Sequence, residues 1–113
     1  MDNKEIFKVF VYGTLKEGRG LNSYYMGNST FIKKDTVKGN LYSLGSYPAL
    51  TKGNNDVPGE IWEMPKDDFE TVTRMEESAG YKTLEVETES KEKVLAYFQN
   101  AENFKDQKTI KEW

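Results

Sequence analysis

The amino-acid sequence predicts one α+β domain in which a mixed, barrel-like sheet surrounds a single helix. Three observations carry this expectation. Alternating β-prone stretches stand toward both ends of the chain, one segment between them has the start and stop signals of a helix, and 113 residues suit one compact core rather than two. Hydrophobic residues make up 36% of the chain and aromatics 13%, enough bulk to fill a small core despite 31% charged residues. One domain over residues 1–113 is expected, ending in a charged tail from about 101 to 113, with no repeat, linker or low-complexity stretch.

The elements follow in order. From Ile6 to Tyr12, Phe7, Val9 and Val11 face one way and Ile6, Phe10 and Tyr12 the other, and only Lys8 is charged. A strand apolar on both faces belongs in the middle of a covered sheet, and Gly13 ends it. Leu15 to Met26, punctuated by Gly18 and Gly20 and carrying Leu21, Tyr24 and Tyr25, reads as a loop running into a short helix. Phe31 to Tyr42 is β-prone but interrupted by Gly39, and Ser43 to Pro58 is rich in Gly, Pro and Asn, which predicts short strands joined by loops before a strand from Gly59 to Met64. Pro65, Asp67 and Asp68 start a helix from about Lys66 to Glu77, because proline fits a first turn and acidic side chains complement the dipole there. Gly80 stops it. Tyr81 to Glu89 alternates again, and Val94 to Gln99 is a further apolar strand.

Composition removes several function classes. The net charge of −3, with both signs interspersed, offers no broad attraction for nucleic acid or an anionic membrane. No apolar run approaches a spanning helix, and Met1 to Glu5 is too charged to open a secretory segment, so a cytoplasmic protein is expected. The sequence contains neither His nor Cys, which excludes His-based triads, thiol nucleophiles, disulfides and His/Cys metal sites. An enzyme built from these residues must move protons with a tuned carboxylate, Lys or Tyr.

Two constellations fit such chemistry. In Val11-Tyr12-Gly13-Thr14-Leu15 a buried strand runs into a glycine turn, whose backbone amides can converge on a small carboxylate; an ordinary tight turn accounts for the same residues. The spacing of Gly13 and Gly18 suggests a phosphate loop, but Arg19 and Gly20 stand where that motif requires Lys and Ser or Thr. On the helix, Phe69, Val72 and Met75 define the inward stripe at about 100° per residue, Glu76 falls about 40° from its centre, and Glu77 lands nearly opposite. A carboxylate on the buried edge of a helix has its pKa raised by desolvation, although a structural Glu with hydrogen-bond donors is equally compatible with that position. Tyr47 and Pro48 in Tyr47-Pro48-Ala49-Leu50, Val57-Pro58-Gly59-Glu60 ahead of a strand, and Tyr81 after the helix complete the set.

Taken in order, Val-Tyr-Gly-Thr-Leu, Asn22, Tyr-Pro-Ala, Val-Pro-Gly-Glu and Met-Glu followed by Gly-Tyr resemble the gamma-glutamylcyclotransferase-like superfamily, which includes gamma-glutamylamine cyclotransferases and AIG2-like proteins. The resemblance spans roughly residues 8 to 98. It implies a small mixed β-barrel with flanking helices, Glu76 as the general acid/base, and a substrate site of Tyr12, Gly13, Thr14, Leu15, Tyr47, Pro48 and Tyr81. It also implies a reaction without metal or cofactor: the α-amine of a gamma-glutamyl group attacks its own side-chain carbonyl, giving 5-oxoproline and a free amine. The expected partner is a small gamma-glutamyl compound. Thr73 replaces the family's Asp, Thr83 stands where an Arg is common, and Trp113 aligns with a tryptophan near the end of many members. The two threonines leave room for a second expectation, a non-catalytic small-ligand-binding module on the same fold.

Overall fold

A computed structural model describes residues 5–13, 15–18, 22 and 25–113. Thr14 lies outside the described residues, as do Arg19, Gly20, Leu21 and Tyr24 of the expected loop and short helix. The elements are β1 (Ile6–Val11), β2 (Thr30–Ser43), β3 (Pro48–Pro65), α1 (Lys66–Ser78), β4 (Lys82–Glu87), β5 (Lys93–Phe98) and a 3-10 turn (Ala101–Phe104).

The strands form one sheet in the order β2-β3-β1-β5-β4. β1 runs antiparallel to β3, from Ile6 opposite Pro65 to Val11 opposite Glu60, and parallel to β5 at Val9 and Leu95. The sheet is therefore mixed, and β1 is central as its two apolar faces require. Val9 and Val11 enter one buried cluster with Trp62, Met64, Val72 and Tyr81, while Phe10 and Tyr12 enter another with Leu41, Leu50, Ile61 and Phe98. Ile6, at the strand's start, is instead exposed.

An added parallel pairing of β3 with β5, Leu50 opposite Phe98, curls the sheet into a half-barrel. β3 joins that pairing at its beginning and β1 at its end, which it can do because it is 18 residues long. The expected short strands between residues 31 and 64 are in fact two long ones, β2 and β3, paired as a hairpin. The interruptions predicted by Gly39 and the Gly/Asn run survive as a bulge: Gly39 pairs with Asn55 and Asn40 with Thr51, leaving Lys52, Gly53 and Asn54 as extra residues on β3.

Pro65 caps α1 with an extended conformation, and Asp68 in the first turn accepts from Ser29 Oγ at 2.9 Å and Asn28 N at 3.2 Å. At the other end Gly80 adopts φ +96°, a left-handed conformation that costs other residues a clash at Cβ. The chain thereby doubles back, so that the Glu76 carbonyl accepts from both Ala79 N and Tyr81 N at 3.0 Å. The charged tail packs on the body, with Phe104 stacked on Tyr42 and Ile110 bridged to Leu41. Among the described residues no helix is long and apolar enough to cross a membrane.

Candidate active site

The last turn of α1 faces the end of β1 across a cavity of about 520 Å³, a size typical for a small-molecule site. Its walls include Tyr12, Gly13, Leu15, Tyr47, Pro48, Glu76 and Tyr81. Glu76 and every described residue of the substrate site that the resemblance implies thus border one space, whereas Val57-Pro58-Gly59-Glu60 does not line it. Thr14 belongs to the Tyr12 to Leu15 stretch but lies outside the described residues.

Among the described residues Glu76 is the only acidic side chain in that wall, and no basic side chain joins it. Burial without a compensating cation raises its carboxyl from 4.5 to about 7. Its place at the C-terminal end of a helix, in a last turn without basic residues, acts in the same direction because the dipole is negative there. Glu77 is exposed, as the helical phase predicts, and accepts from the Thr83 hydroxyl at 3.3 Å.

The tyrosines are fixed by backbone carbonyls. Tyr12 donates to the Tyr97 carbonyl and Tyr81 to the Pro48 carbonyl, each at 2.6 Å. Each phenol has one proton, so toward a ligand both oxygens act as acceptors. Burial, with a smaller contribution from the nearby Glu76 charge, holds both hydroxyls well above the usual tyrosine range. Tyr47 is 45% exposed and stands on the β2–β3 connection at the cavity's edge.

Gly13 is a glycine for its packing and not for its backbone angles. Its φ is not in the left-handed region; Gly18, Gly45 and Gly80 are the described glycines that are. A Cβ on Gly13 would instead fall 2.3 Å from Pro48 Cγ and 3.6 Å from the Trp113 indole. The turn after it closes through Lys16 N to the Gly13 carbonyl at 3.0 Å, and Asn22 Nδ2 holds the Leu15 carbonyl at 2.7 Å. Glu60, buried at 7% exposure, accepts from Glu17 N at 2.8 Å and Trp62 Nε1 at 3.0 Å. Its neighbour must be glycine, because a Cβ on Gly59 would lie 2.5 Å from the Phe10 ring and 2.6 Å from the Val11 carbonyl. The Val57-Pro58-Gly59-Glu60 stretch thus supports the turn from behind.

Tyr97 is a wall residue that sequence reasoning missed. Its hydroxyl lies 2.7 Å from Thr73 Oγ1, and burial pushes it up to about 12. The signal was present in the alternation of β5, but a tyrosine in an apolar strand reads first as core. Phe10, Val11, Ser46, Met75 and Ala79 complete the wall. Among the described residues no group of three or more Asp or Glu side chains gathers closely enough to hold a metal ion.

Known proteins with related sequences and folds place these observations in context. The profile of a family described as gamma-glutamyl cyclotransferase, AIG2-like, matches residues 9–113. A Pyrococcus horikoshii protein named as a gamma-glutamylcyclotransferase, though itself uncharacterized, is 31% identical over 81 residues, 72% of this chain and 69% of that one. Its crystal structure superposes with a TM-score of 0.75 at 28% identity, covering 93% of this chain and 86% of the other. The gamma-L-glutamyl-butirosin B gamma-glutamyl cyclotransferase of Niallia circulans is 36% identical over 74 residues, 64% of this chain and 47% of that enzyme. Apart from the archaeal protein, the chain spans about half the length of the curated relatives it matches. A mouse AIG2-like protein shares the fold, with a TM-score of 0.80 at 18% identity over 96% of this chain and 88% of its own.

Proposed function

The chain belongs to the gamma-glutamyl cyclotransferase, AIG2-like family, and from that premise we propose that it converts a gamma-glutamyl compound into 5-oxoproline and a free amine, with Glu76 as the proton carrier. The observation that carries this reading is a carboxyl raised to about 7 by burial, in the wall of the cavity that the Gly13 turn also borders.

An α-ammonium near 8 faces an ordinary glutamate across a gap of about 5 kcal/mol, whereas a carboxylate near 7 narrows it to about 1.4 kcal/mol. Glu76 takes the proton from the α-ammonium. The freed amine then attacks the side-chain carbonyl, and the new C–N bond closes a five-membered ring. As the tetrahedral intermediate collapses, the old C–N bond breaks and Glu76 returns the proton to the departing nitrogen; the second hydrogen on the ring nitrogen, acidified by the new bond, then passes through the Glu76 carboxylate to the released amine, which leaves as an ammonium. Atoms balance without water, and the reaction needs no cofactor. Ring closure is intramolecular, so the protein's task is to hold the glutamyl chain folded. The Tyr12 and Tyr81 oxygens, available only as acceptors, suit the ammonium before its proton leaves, and backbone donors of the Gly13 turn suit the α-carboxylate.

The test is incubation with a panel of gamma-glutamyl amines and dipeptides, followed by mass spectrometry for 5-oxoproline. Release from at least one member is expected, with loss of binding when the α-carboxylate is converted to an amide. Compounds that bind and are never cyclised would point to a ligand-binding module, and an α-amide that binds as tightly as the acid would remove the carboxylate role from the turn.

A further inference from the structure

Hydrogen bonds from Lys16 N, Asn22 and Glu17 N hold the later part of the turn after β1, but they leave its first residue, Gly13, with only its carbonyl engaged. Gly13 has no side chain to anchor, so its position is set by what packs against its backbone. On one side that is Pro48, itself held through its carbonyl by Tyr81. On another it is Trp113, whose indole lies 3.6 Å from where a Gly13 Cβ would be, yet does not line the cavity.

The route of residues 101–113 explains how Trp113 reaches that place. Phe104 stacks on Tyr42 at 4.9 Å, Ile110 N donates to the Leu41 carbonyl at 2.7 Å, and Ile110 and Trp113 pack against the cluster that contains Tyr12 and Phe10. The preceding residue, Glu112, pairs with Lys16 at 3.8 Å. Lys16 belongs to the same turn, and its side chain is only 10% exposed. The ion pair is widely spaced and its Glu112 end is open to solvent, so it contributes little, whereas an indole brings a large rigid apolar surface.

We infer that Trp113 is a positioning residue, bracing the Gly13 to Lys16 turn from outside the cavity and so holding the shape in which that turn meets the substrate. The consequence for substrate rests on the cyclotransferase reading; the bracing itself does not.

The test compares wild type, Trp113→Ala and Trp113→Phe by hydrogen–deuterium exchange and by kinetics. In Trp113→Ala, amides of residues 13–17 are expected to exchange at least about tenfold faster while β5 and α1 keep their rates, because only local opening is changed. With a gamma-glutamyl substrate, KM is expected to rise about tenfold with kcat and its pH profile held, since the loss is in holding the substrate and not in proton transfer. Trp113→Phe, which keeps a flat apolar ring, restores both. Unchanged exchange at 13–17, a rise shared by every peptide, or a KM that stays at the wild-type value while the turn loosens each overturns the inference. If wild type cyclises no gamma-glutamyl compound, the functional proposal fails and the exchange result decides the bracing alone.

Discussion

At the scale of single residues, the position of Glu76 and the chemistry asked of it have one physical origin. A carboxyl at about 7 in the folded chain and 4.5 when exposed is uncharged in both states in acid, so it carries no folding penalty there. Between those values the unfolded chain ionises while the folded one keeps its proton, and stability falls as pH rises. Above about 7 the whole cost stands, up to about 3 kcal/mol at 1.36 per unit. Glu76→Gln cannot ionise, so it should be more stable than wild type at pH 8 and equal to it at pH 4. Urea unfolding at the two values checks this, and equal stability at both contradicts the burial of the charge. The same carboxyl, acting as a base when ionised, predicts that kcat rises through about pH 7. Gly13 teaches a different lesson. Its identity was readable in the sequence, but the reason for it, the approach of Pro48, depends on a residue 35 positions away.

At the scale of elements, the cap of α1 links fold to site. Gly80→Ala has room for its methyl group, the nearest atom being Gln99 Nε2 at 3.5 Å, yet it must hold φ +96°. A loss of roughly 1 kcal/mol is expected from that strain alone. Because the same bend returns Tyr81 N to the Glu76 carbonyl, turnover should fall along with stability. Denaturant unfolding and kcat measured on one preparation test both, and an unchanged midpoint would show that the bend tolerates a side chain. α1 and β1 were legible because their signals are local: acidic residues after Pro65, a stop at Gly80, and apolar residues on both faces of one strand. Residues 43–58 were not. Gly, Pro and Asn disfavour strands by propensity, and here pairing along β2 and burial of Ala49, Leu50 and Thr51 override that preference. Tyr97 was missed for a similar reason, since its contact with Thr73 joins β5 to a helix 24 residues earlier.

At the scale of the molecule, the long β3 strand makes the site possible. By pairing with β1 at one end and β5 at the other it curls the sheet, and that curl brings Pro48 over Gly13 and beneath Tyr81. The glycine turn and α1, separated by about half the chain, then meet across one cavity. The proposed reaction depends on a proton moved through Glu76 in this cavity. Its most direct test is 5-oxoproline release by Glu76→Gln beside Glu77→Gln, with substrate binding measured for each. Glutamine keeps the shape of glutamate and cannot carry the proton. A loss on the order of 100-fold or more in kcat is expected for Glu76→Gln with binding retained, and near wild-type turnover for the exposed Glu77→Gln. Full turnover in Glu76→Gln would contradict proton transfer through Glu76.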